Sequence, residues 1–317
     1  MFDKLKAMFR IGGAKIGMVE TLNRITDHPK IGVNTAEIDR IMDNKRIYKN
    51  KFPDVSYVNS DGMRMHRAFH SLNVSKVVSR KLAKLVFNDG CAISIDNDEA
   101  DQFLQSVFND NKFRKNFGEE LEAGYAIGGL VLRPYVDTKT NKIKISFCRA
   151  DTFYPLQSNT NDISEAAIAT ITQQNEGKKN VYYTLLEFHE WENSTYYIRN
   201  ELYRSEEQSQ TGVRVPLPTL DKYKELKEET ALVGFTRPLF VYIKLAGKNN
   251  IDIDSPLSLG IIDNAKRQLI DINEKYDEFM NEVEEARRKI LASDHFFKVR
   301  YDEKGNPIKR FGSKTSV

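Results

Sequence analysis

The chain has 317 residues and a mass of 36.5 kDa, enough for two ordinary domains, and its 40% hydrophobic and 29% charged residues exclude intrinsic disorder. A net charge of +3 and a pI of about 8.6 fall short of the basic excess typical of nucleic-acid-binding domains, although residues 1–90 and 291–317 are the more basic parts. No stretch reaches the roughly 18 uncharged apolar residues of a membrane span, and the N-terminus lacks a signal peptide's apolar core, so we expect a cytoplasmic chain without a membrane partner.

The first part of the chain predicts mainly helices. Residues 1–33, with scattered apolar residues and several glycines, are expected to form a loosely held arm. Asn34 followed by Glu37 is a capping-box pattern, which predicts a helix that continues to about Tyr48. The next predicted elements are a loop at Pro53, a helix at 63–87, a strand at 91–96, a helix opened by Asp98 and a helix carrying Phe113, Phe117, Leu121 and Tyr125. Cys91 and Cys148 are interpreted as small buried hydrophobes, because a zinc site needs more ligands.

From Gly128 onwards the apolar period changes to two, which predicts strands. The predicted strands lie at 130–136, 142–147, 166–172, 181–191, 195–204 and 237–246, with a tight turn at 192–194. Residues 205–230 are polar and contain Pro216 and Pro218, so we expect a surface loop with a short helix there. Together, these elements predict an α+β fold.

The most regular pattern begins after Asp254. Ser255 and Pro256 form a helix-start signal, and we predict one helix over 256–290, about 50 Å long at a rise of roughly 1.5 Å per residue. Its apolar residues recur at alternating steps of three and four: Ile262, Ala265, Leu269, Ile272, Tyr276, Phe279, Val283, Ala286 and Ile290. So narrow a stripe suits a helix packed against other helices, and we predict that this seam mediates oligomerisation. Residues 296–311 then predict a strand, a turn and a second strand.

Three features could carry chemistry, and each has a simpler explanation. His66 and His70 have the spacing of a metal-binding pair on a helix, but the glutamate of a HExxH metalloprotease is missing. Asp252 and Asp254 could bind a cation, yet carboxylates are favourable at any helix start. The glycine-rich run 124–129 lacks the lysine of a phosphate-binding loop, which leaves close packing at a helix-to-strand junction. We therefore predict no enzyme, no metal and no cofactor.

The segment 237–290 closely resembles the pre-stem and stem segment of portal (head–tail connector) proteins of tailed bacteriophages, in the branch found in siphophages and prophages of Gram-positive bacteria. In that branch an Asn-Asn-Ile-Asp-x-Asp-Ser-Pro-Leu run precedes a long helix that carries Ile-Asp and Tyr-Asp pairs. The matching residues here form a start-of-stem motif, Asn249, Asn250, Asp252, Asp254, Ser255 and Pro256, followed by Ile270, Asp271, Tyr276 and Asp277. Residues 72–95 and 117–155 are similar to further family segments, so the resemblance covers most of 60–300.

The resemblance implies a portal-like α+β fold and a structural, non-enzymatic role. The chain would form a ring, usually of twelve subunits, at one capsid vertex of the virion, and the ring would be the DNA conduit for packaging and ejection. Its partners would be further copies of itself, double-stranded DNA bound without sequence specificity, the terminase, neck or tail adaptors, and capsid or scaffold proteins, with assembly in the host cytoplasm. Residues 1–250 would be the wing, with the arm 1–33, residues 251–290 the stem helix, and residues 291–317 the start of a β clip.

The family pattern continues after the clip with a second stem helix, a tunnel loop and a crown, and from their absence we expect a fragment or a C-terminally truncated gene product. The resemblance places four basic residues in the clip as candidate contacts to DNA or terminase, where a solvated hairpin is the simpler explanation: Lys298, Arg300, Lys309 and Arg310. Two other functions stay open. One is a cytoplasmic α+β binding module that oligomerises through a coiled-coil helix, and the other is a metal-dependent hydrolase built on His66 and His70.

Overall fold

The chain folds into two compact units, a large unit of Met1–Phe52 with Asn73–Leu269 and a small unit of Pro53–Leu72 with Ile270–Val317. The computed structural model describes residues 21–58, 62–137, 139–158, 162–177, 179–245, 247–288, 297–302, 304–305 and 307–311. Of residues 287–288, 297–300 and 307–311 it describes the backbone.

An antiparallel sheet of seven described strands forms much of the large unit. Its strands are β1 Thr21–Leu22, β6 Phe153–Ser158, β7 Ile163–Glu176, β8 Lys179–Glu192, β9 Thr195–Ser205, β10 Gly212–Val215 and β11 Glu229–Leu232. The order is β1-β10-β9-β8-β7-β6, and β11 pairs with the first half of β9. Asn193 and Ser194 adopt φ angles of 48° and 65°, which makes the tight turn that the sequence predicts between β8 and β9.

Four described helices and a second sheet complete the large unit. The helices are α1 Thr35–Tyr48, α2 Val74–Val86, α3 Asp98–Asp110 and α4 Phe113–Ile127, and the sheet has β4 Leu130–Asp137 and β5 Lys142–Arg149, with β12 Val241–Ile243 on the other side of β4. Asparagine side chains cap three of these helices by accepting a backbone N–H of the first turn: Asn34, Asn73 and Asn97. Ile41 of α1, Ile127 of α4, Phe153 of β6 and Ile262 meet in the main core.

The small unit holds two hairpins and most of one long helix. Strand β2 Val55–Val58 pairs with β3 Arg64–Arg67, and β13 Phe297–Tyr301 pairs with β14 Pro307–Phe311, both antiparallel. Helix α5, Lys266–Arg288, has 23 residues and begins in the large unit. Within the residues described, no helix combines the length and the apolar character that crossing a membrane requires.

Several predicted elements are confirmed because their signals are local. Helices α1 and α4 lie where the Asn34 cap and the four-residue phenylalanine spacing place them, and the predicted hairpins β4–β5, β8–β9 and β13–β14 all form. The strand predicted at 166–172 is part of β7. The mixture of helices and strands agrees with the predicted α+β class. Cys91 and Cys148 are free and half-buried, and burial raises the pKa of the Cys148 thiol.

Other predictions are wrong. The helix predicted over 63–87 begins only at Val74, because residues 64–67 pair with β2 and Asn73 supplies the cap. His66 and His70 therefore do not share a helix. No strand forms at 91–96, and Asn97 rather than Asp98 caps α3.

Residues 21–33 are not a loose arm. Leu22 and Ile31 are buried and β1 pairs with β10, while residues 1–20 lie outside the described part. The polar stretch 205–230 contributes strands β10 and β11 to the large sheet, besides short 3-10 turns. The strand predicted at 237–246 is reduced to Val241–Ile243, and Val241 is exposed.

The long helix also begins later than predicted. Residues 255–260 form a loop, a 3-10 turn spans Asp263–Ala265, and α5 starts at Lys266. The Ser-Pro signal fails because the Ser255 hydroxyl is used in a tertiary contact, a hydrogen bond to Glu37 at 2.8 Å. The predicted helix end at Ile290 lies outside the described residues.

Candidate functional site at the start of the long helix

Asn249 organises the loop 249–257, which carries the start-of-stem motif. The Oδ1 atom of this buried residue accepts the backbone N–H groups of Ile251 and Asp252, both at 2.9 Å. Its Nδ2 atom donates to the Leu257 carbonyl oxygen at 3.2 Å. An asparagine side chain can replace backbone partners in this way, which explains its use in turns. The motif therefore fixes the shape of a loop that precedes the helix.

A single buried carboxylate attaches this loop to α1. Glu37 Oε2 accepts Nδ2 of Asn249 and Oγ of Ser255, both at 2.8 Å. Arg40 donates to the same carboxylate through Nε at 3.0 Å and Nη2 at 3.1 Å. A buried charge is tolerated when it is paired and hydrogen-bonded, so these contacts allow Glu37 to lie in the interior.

Arg40 extends the network to the first residue of the 3-10 turn before α5. The Asp263 carboxylate accepts Nη1 of Arg40, Nδ2 of Asn44 at 2.7 Å and the Gly260 backbone N–H at 2.7 Å. Burial lowers the pKa of the Arg40 guanidinium, but its bonds to Glu37 and Asp263 raise that pKa by more. The guanidinium is thus a permanent positive charge between two carboxylates.

The same loop packs closely on the junction between α4 and β4. Gly128 has a φ of +106°, and a Cβ atom added there would lie 2.7 Å from the Ser258 carbonyl oxygen and 2.9 Å from the Gly260 nitrogen. Tyr242 donates its hydroxyl to the Gly128 carbonyl at 3.0 Å and accepts the Ser258 N–H at 2.9 Å. The prediction that the glycine-rich run 124–129 serves close packing is confirmed.

In the small unit, one side of α5 holds the segment that follows β3. Asp277 receives the Arg67 guanidinium at 2.6 and 2.7 Å and the His70 backbone N–H at 2.8 Å. One turn earlier, Asn273 Oδ1 accepts the Leu72 N–H at 2.7 Å. The bonds from Arg67 lower the pKa of the Asp277 carboxyl to about 2 despite its burial. This side of the helix is therefore polar and already occupied.

A different side of α5 carries the predicted seam. Ile272 is 47% exposed and Phe279 is 60% exposed, while Tyr276 between them and Val283 after them are half-buried. The N-terminal members of the seam are not exposed in this way. Ile262 is fully buried before the helix begins, and Leu269 packs against the main core. The remaining members are half-buried Ala265, exposed Ala286 and Ile290, the last outside the described residues. The stripe therefore leaves about half of the Ile272 and Phe279 side chains exposed.

A cleft of about 890 Å³ opens between α1 and the loop 249–257. Its lining is dominated by carboxylates, with two cations and two isoleucines: Glu37, Asp39, Asp43, Asp252, Asp254, Asp263, Arg40, Lys266, Ile251 and Ile253. Across the described residues, no group of three or more His, Cys, Asp or Glu side chains could hold a metal ion. His66 lies in β3 and His70 in the loop after it, where His70 Nε2 is 3.3 Å from Glu284.

One group of titratable side chains lies in the core rather than in a cleft. His189 contacts Glu187 at 2.7 Å and the Tyr196 hydroxyl at 2.6 Å, and Glu187 is also paired with Arg133. Burial raises the pKa of the Glu187 carboxyl, but the His189 hydrogen bond and the Arg133 charge lower it by more. Because His189 and Tyr196 are completely enclosed, this group stabilises the sheet and has no access to a substrate.

The four basic residues of the predicted clip lie on the hairpin β13–β14. The backbone register pairs Lys298 with Arg310, Val299 with Lys309 and Arg300 with Ile308. The hairpin itself agrees with the prediction, and a role of its basic residues in binding stays a prediction.

Sequence reasoning missed the charged network that connects these parts. The sequence pattern predicts a capping-box role for Glu37, but the carboxylate bonds Asn249, Ser255 and Arg40 instead. Asn249 and Ser255 are more than 200 positions away from Glu37, so no local spacing could indicate these two partners. The pair Glu37–Arg40, one turn apart in α1, is the part of this network that local spacing does indicate.

Comparison with known proteins adds an independent observation. A family model described as "Phage portal protein, SPP1 Gp6-like" matches residues 27–316, almost the full length of the chain. A comparison with curated proteins finds no match.

Proposed function

The chain belongs to the SPP1 Gp6-like family of phage portal proteins, and on this premise we propose that it is a ring-forming portal subunit at one capsid vertex of the virion. The ring would be the channel through which double-stranded DNA is packaged and ejected. It would also be the docking site for the terminase and for neck or tail proteins. The family is structural and non-enzymatic, so the work of the protein would come from the geometry of its assembly.

The observation that carries this proposal is the half-exposed apolar stripe of α5. Ile272 and Phe279 expose about half of their side chains, although Arg67 and Asp277 hold another side of the same helix. Leaving large apolar side chains in water is unfavourable, and contiguous patches of this kind usually mark contact surfaces. We propose that the stripe packs on the same helix of neighbouring subunits.

The start-of-stem motif supports the same proposal. Asn249, Glu37, Arg40 and Asp263 hold the loop and the 3-10 turn that lead directly into α5. A helix that must meet identical helices in a ring needs a defined origin, and a closed hydrogen-bond network provides one. In this proposal residues 1–250 form the wing, 251–290 the stem and 291–317 the beginning of a clip.

The clip would carry the contacts to DNA or terminase. Its candidates, on β13 and β14, are Lys298, Arg300, Lys309 and Arg310. Contacts of these side chains to phosphates would be independent of sequence and would weaken with salt.

The direct test is the absolute mass in solution, measured by light scattering on a sizing column, with negative-stain images of any large fraction. Closed rings of about ten to fourteen subunits with a central hole would support the portal proposal. A dimer or tetramer would instead support a coiled-coil binding module that uses the same stripe. A monomer that persists after the chain is extended beyond Val317 would contradict ring formation.

A further inference from the structure

Helix α2 has an unusual distribution of side chains. Its buried side is made of small residues, Ser75, Ser79 and Ala83, and the Ser79 hydroxyl is buried without a hydrogen-bond partner among the described residues. Its outer side carries large apolar residues, with Val77 65% exposed and Leu85 72% exposed. A helix that packs only against the core of its own chain would place the large apolar residues on its buried side and the small polar residues on its exposed side. The outer side of α2 is therefore built for contact with something else.

The chemistry of that outer side indicates an acidic partner. Four basic residues, Lys76, Arg80, Lys81 and Lys84, stand among the exposed Val77, Val78 and Leu85, and α2 contains no acidic residue. Lys76 and Arg80 lie 3.8 and 3.6 Å from Glu122 of α4, which leaves Lys81 and Lys84 as the cations that a partner could meet. A partner surface for this helix must therefore offer apolar side chains that are surrounded by carboxylates.

The cleft between α1 and the loop 249–257 has this composition. Ile251 is 54% exposed and Ile253 is 63% exposed, and both line a cleft whose walls are mostly carboxylates. Within the described part of the chain, no basic side chain forms an ion pair with Asp252 or Asp254, which flank Ile253. The other four carboxylates of the cleft are already paired with Arg24, Arg40 or Lys266. The match to the outer side of α2 therefore comes from Ile251 and Ile253 for the apolar area and from Asp252 and Asp254 for the charge.

We infer that the outer side of α2 in one copy of this chain docks into the acidic cleft of a second copy. The two surfaces share no residue, so each copy can use both at once, and such a head-to-tail contact forms a ring when the rotation between successive copies closes. The inference rests on the proposed ring, and it names the pair of surfaces that neighbouring subunits would bring together in the large unit. Because part of the attraction is electrostatic, the contact should weaken as salt rises.

Cysteine cross-linking tests the head-to-tail contact directly. In a Cys91→Ser background, one variant carries Val77→Cys and a second carries Ile253→Cys. We expect a disulfide-linked dimer on a non-reducing gel when the two variants are mixed and oxidised, and little from either variant alone. Val233→Cys, at another exposed valine outside both surfaces, is the matched control, and its mixture with Val77→Cys should give at least tenfold less product.

A charge exchange tests the complementarity. Adding Lys81→Glu and Lys84→Glu to the Val77→Cys chain should reduce the product about tenfold, and Asp252→Lys with Asp254→Lys on the Ile253→Cys chain should restore it. Equal product from Val77→Cys alone would reveal a symmetric α2–α2 contact and overturn the inference. Rings in the microscope without cross-linking would also overturn it and leave the portal proposal intact. Cross-linked open chains without rings would support the contact and contradict the closed ring.

Discussion

Asp277 binds both arms of the Arg67 guanidinium, at 2.6 and 2.7 Å, and so ties helix α5 to the end of strand β3. The His70 backbone N–H completes the set at 2.8 Å. A carboxylate with two charge-assisted bonds and a backbone donor is one of the stronger polar anchors in a protein. It fixes one side of α5, which leaves the apolar stripe on a different side available for other contacts.

Asp277→Asn should destabilise the small unit. The amide is nearly isosteric but leaves the Arg67 charge without its counterion, and hydrogen bonds to charged groups typically contribute about 1.5–3 kcal/mol. We expect a loss of about 2 kcal/mol in the free energy of unfolding, measured by urea denaturation at pH 7. The control is Glu278→Gln, at the next position, where the exposed carboxylate pairs with Lys275 on the surface. A cost for Glu278→Gln as large as that for Asp277→Asn would contradict the anchor.

The same pair predicts a pH dependence. The pKa of Asp277 is about 2 in the folded protein, lowered from its ordinary value of 3.8. The stabilisation is therefore complete well above pH 4 and is lost as pH falls toward 2, because the unfolded chain takes up the proton first. The difference in unfolding free energy between the native chain and Asp277→Asn should fall by about 1 kcal/mol between pH 4 and 3. If this difference in unfolding free energy did not change between pH 4 and 3, the low pKa of Asp277 would be contradicted.

The loop at the start of the helix offers a comparison between adjacent asparagines. Asn249→Ala removes both turn-forming acceptor contacts and leaves the buried Glu37 carboxylate with one donor fewer, so we expect a cost of about 2–3 kcal/mol. Asn250→Ala removes only an exposed pair of bonds to Asn264, at 3.1 and 3.3 Å, and should cost about 0.5 kcal/mol or less. Thermal and urea unfolding of the two variants would measure these costs. A similar loss of unfolding free energy in Asn249→Ala and Asn250→Ala would contradict the role given to Asn249.

The close approach at Gly128 can be tested in the same manner. Gly128→Ala forces a side chain into a positive-φ position and against the Ser258 carbonyl, so we expect a loss of at least about 2 kcal/mol. Gly32→Ala is the control, because an added Cβ there meets nothing within 4 Å, and the φ of Gly32 is not in the positive range. That change should be neutral or slightly stabilising. An unfolding temperature of Gly128→Ala equal to that of the native chain would contradict the close packing of residues 258–260 on Gly128.

How far the sequence predicts this structure depends on the distance over which each signal acts. The Asn34 cap and the Phe113-to-Tyr125 spacing act within a few residues, and the helices they predict are present. The helix start at Ser255-Pro256 is equally regular, but Ser255 bonds Glu37, 218 positions away, and the helix begins eleven residues later. His66 was placed on a helix because apolar and basic residues continue through it, whereas the pairing of β3 with β2 decides its conformation. The candidate site depends on such distant partners, so the sequence indicates its motif but not its geometry.

The apolar stripe of α5 gives the prediction that bears most directly on assembly. Leu269 is a poor probe, since it packs against the main core and a charge there would unfold the chain. Ile272→Asp and Phe279→Asp instead alter exposed positions, so the variants should keep the native circular dichroism and unfolding temperature while their mass by light scattering shifts toward monomer. Ile171→Asp, at an equally exposed isoleucine on β7, controls for the added charge and should leave the mass unchanged. An assembly that survives both α5 changes would exclude the stripe as the surface between subunits.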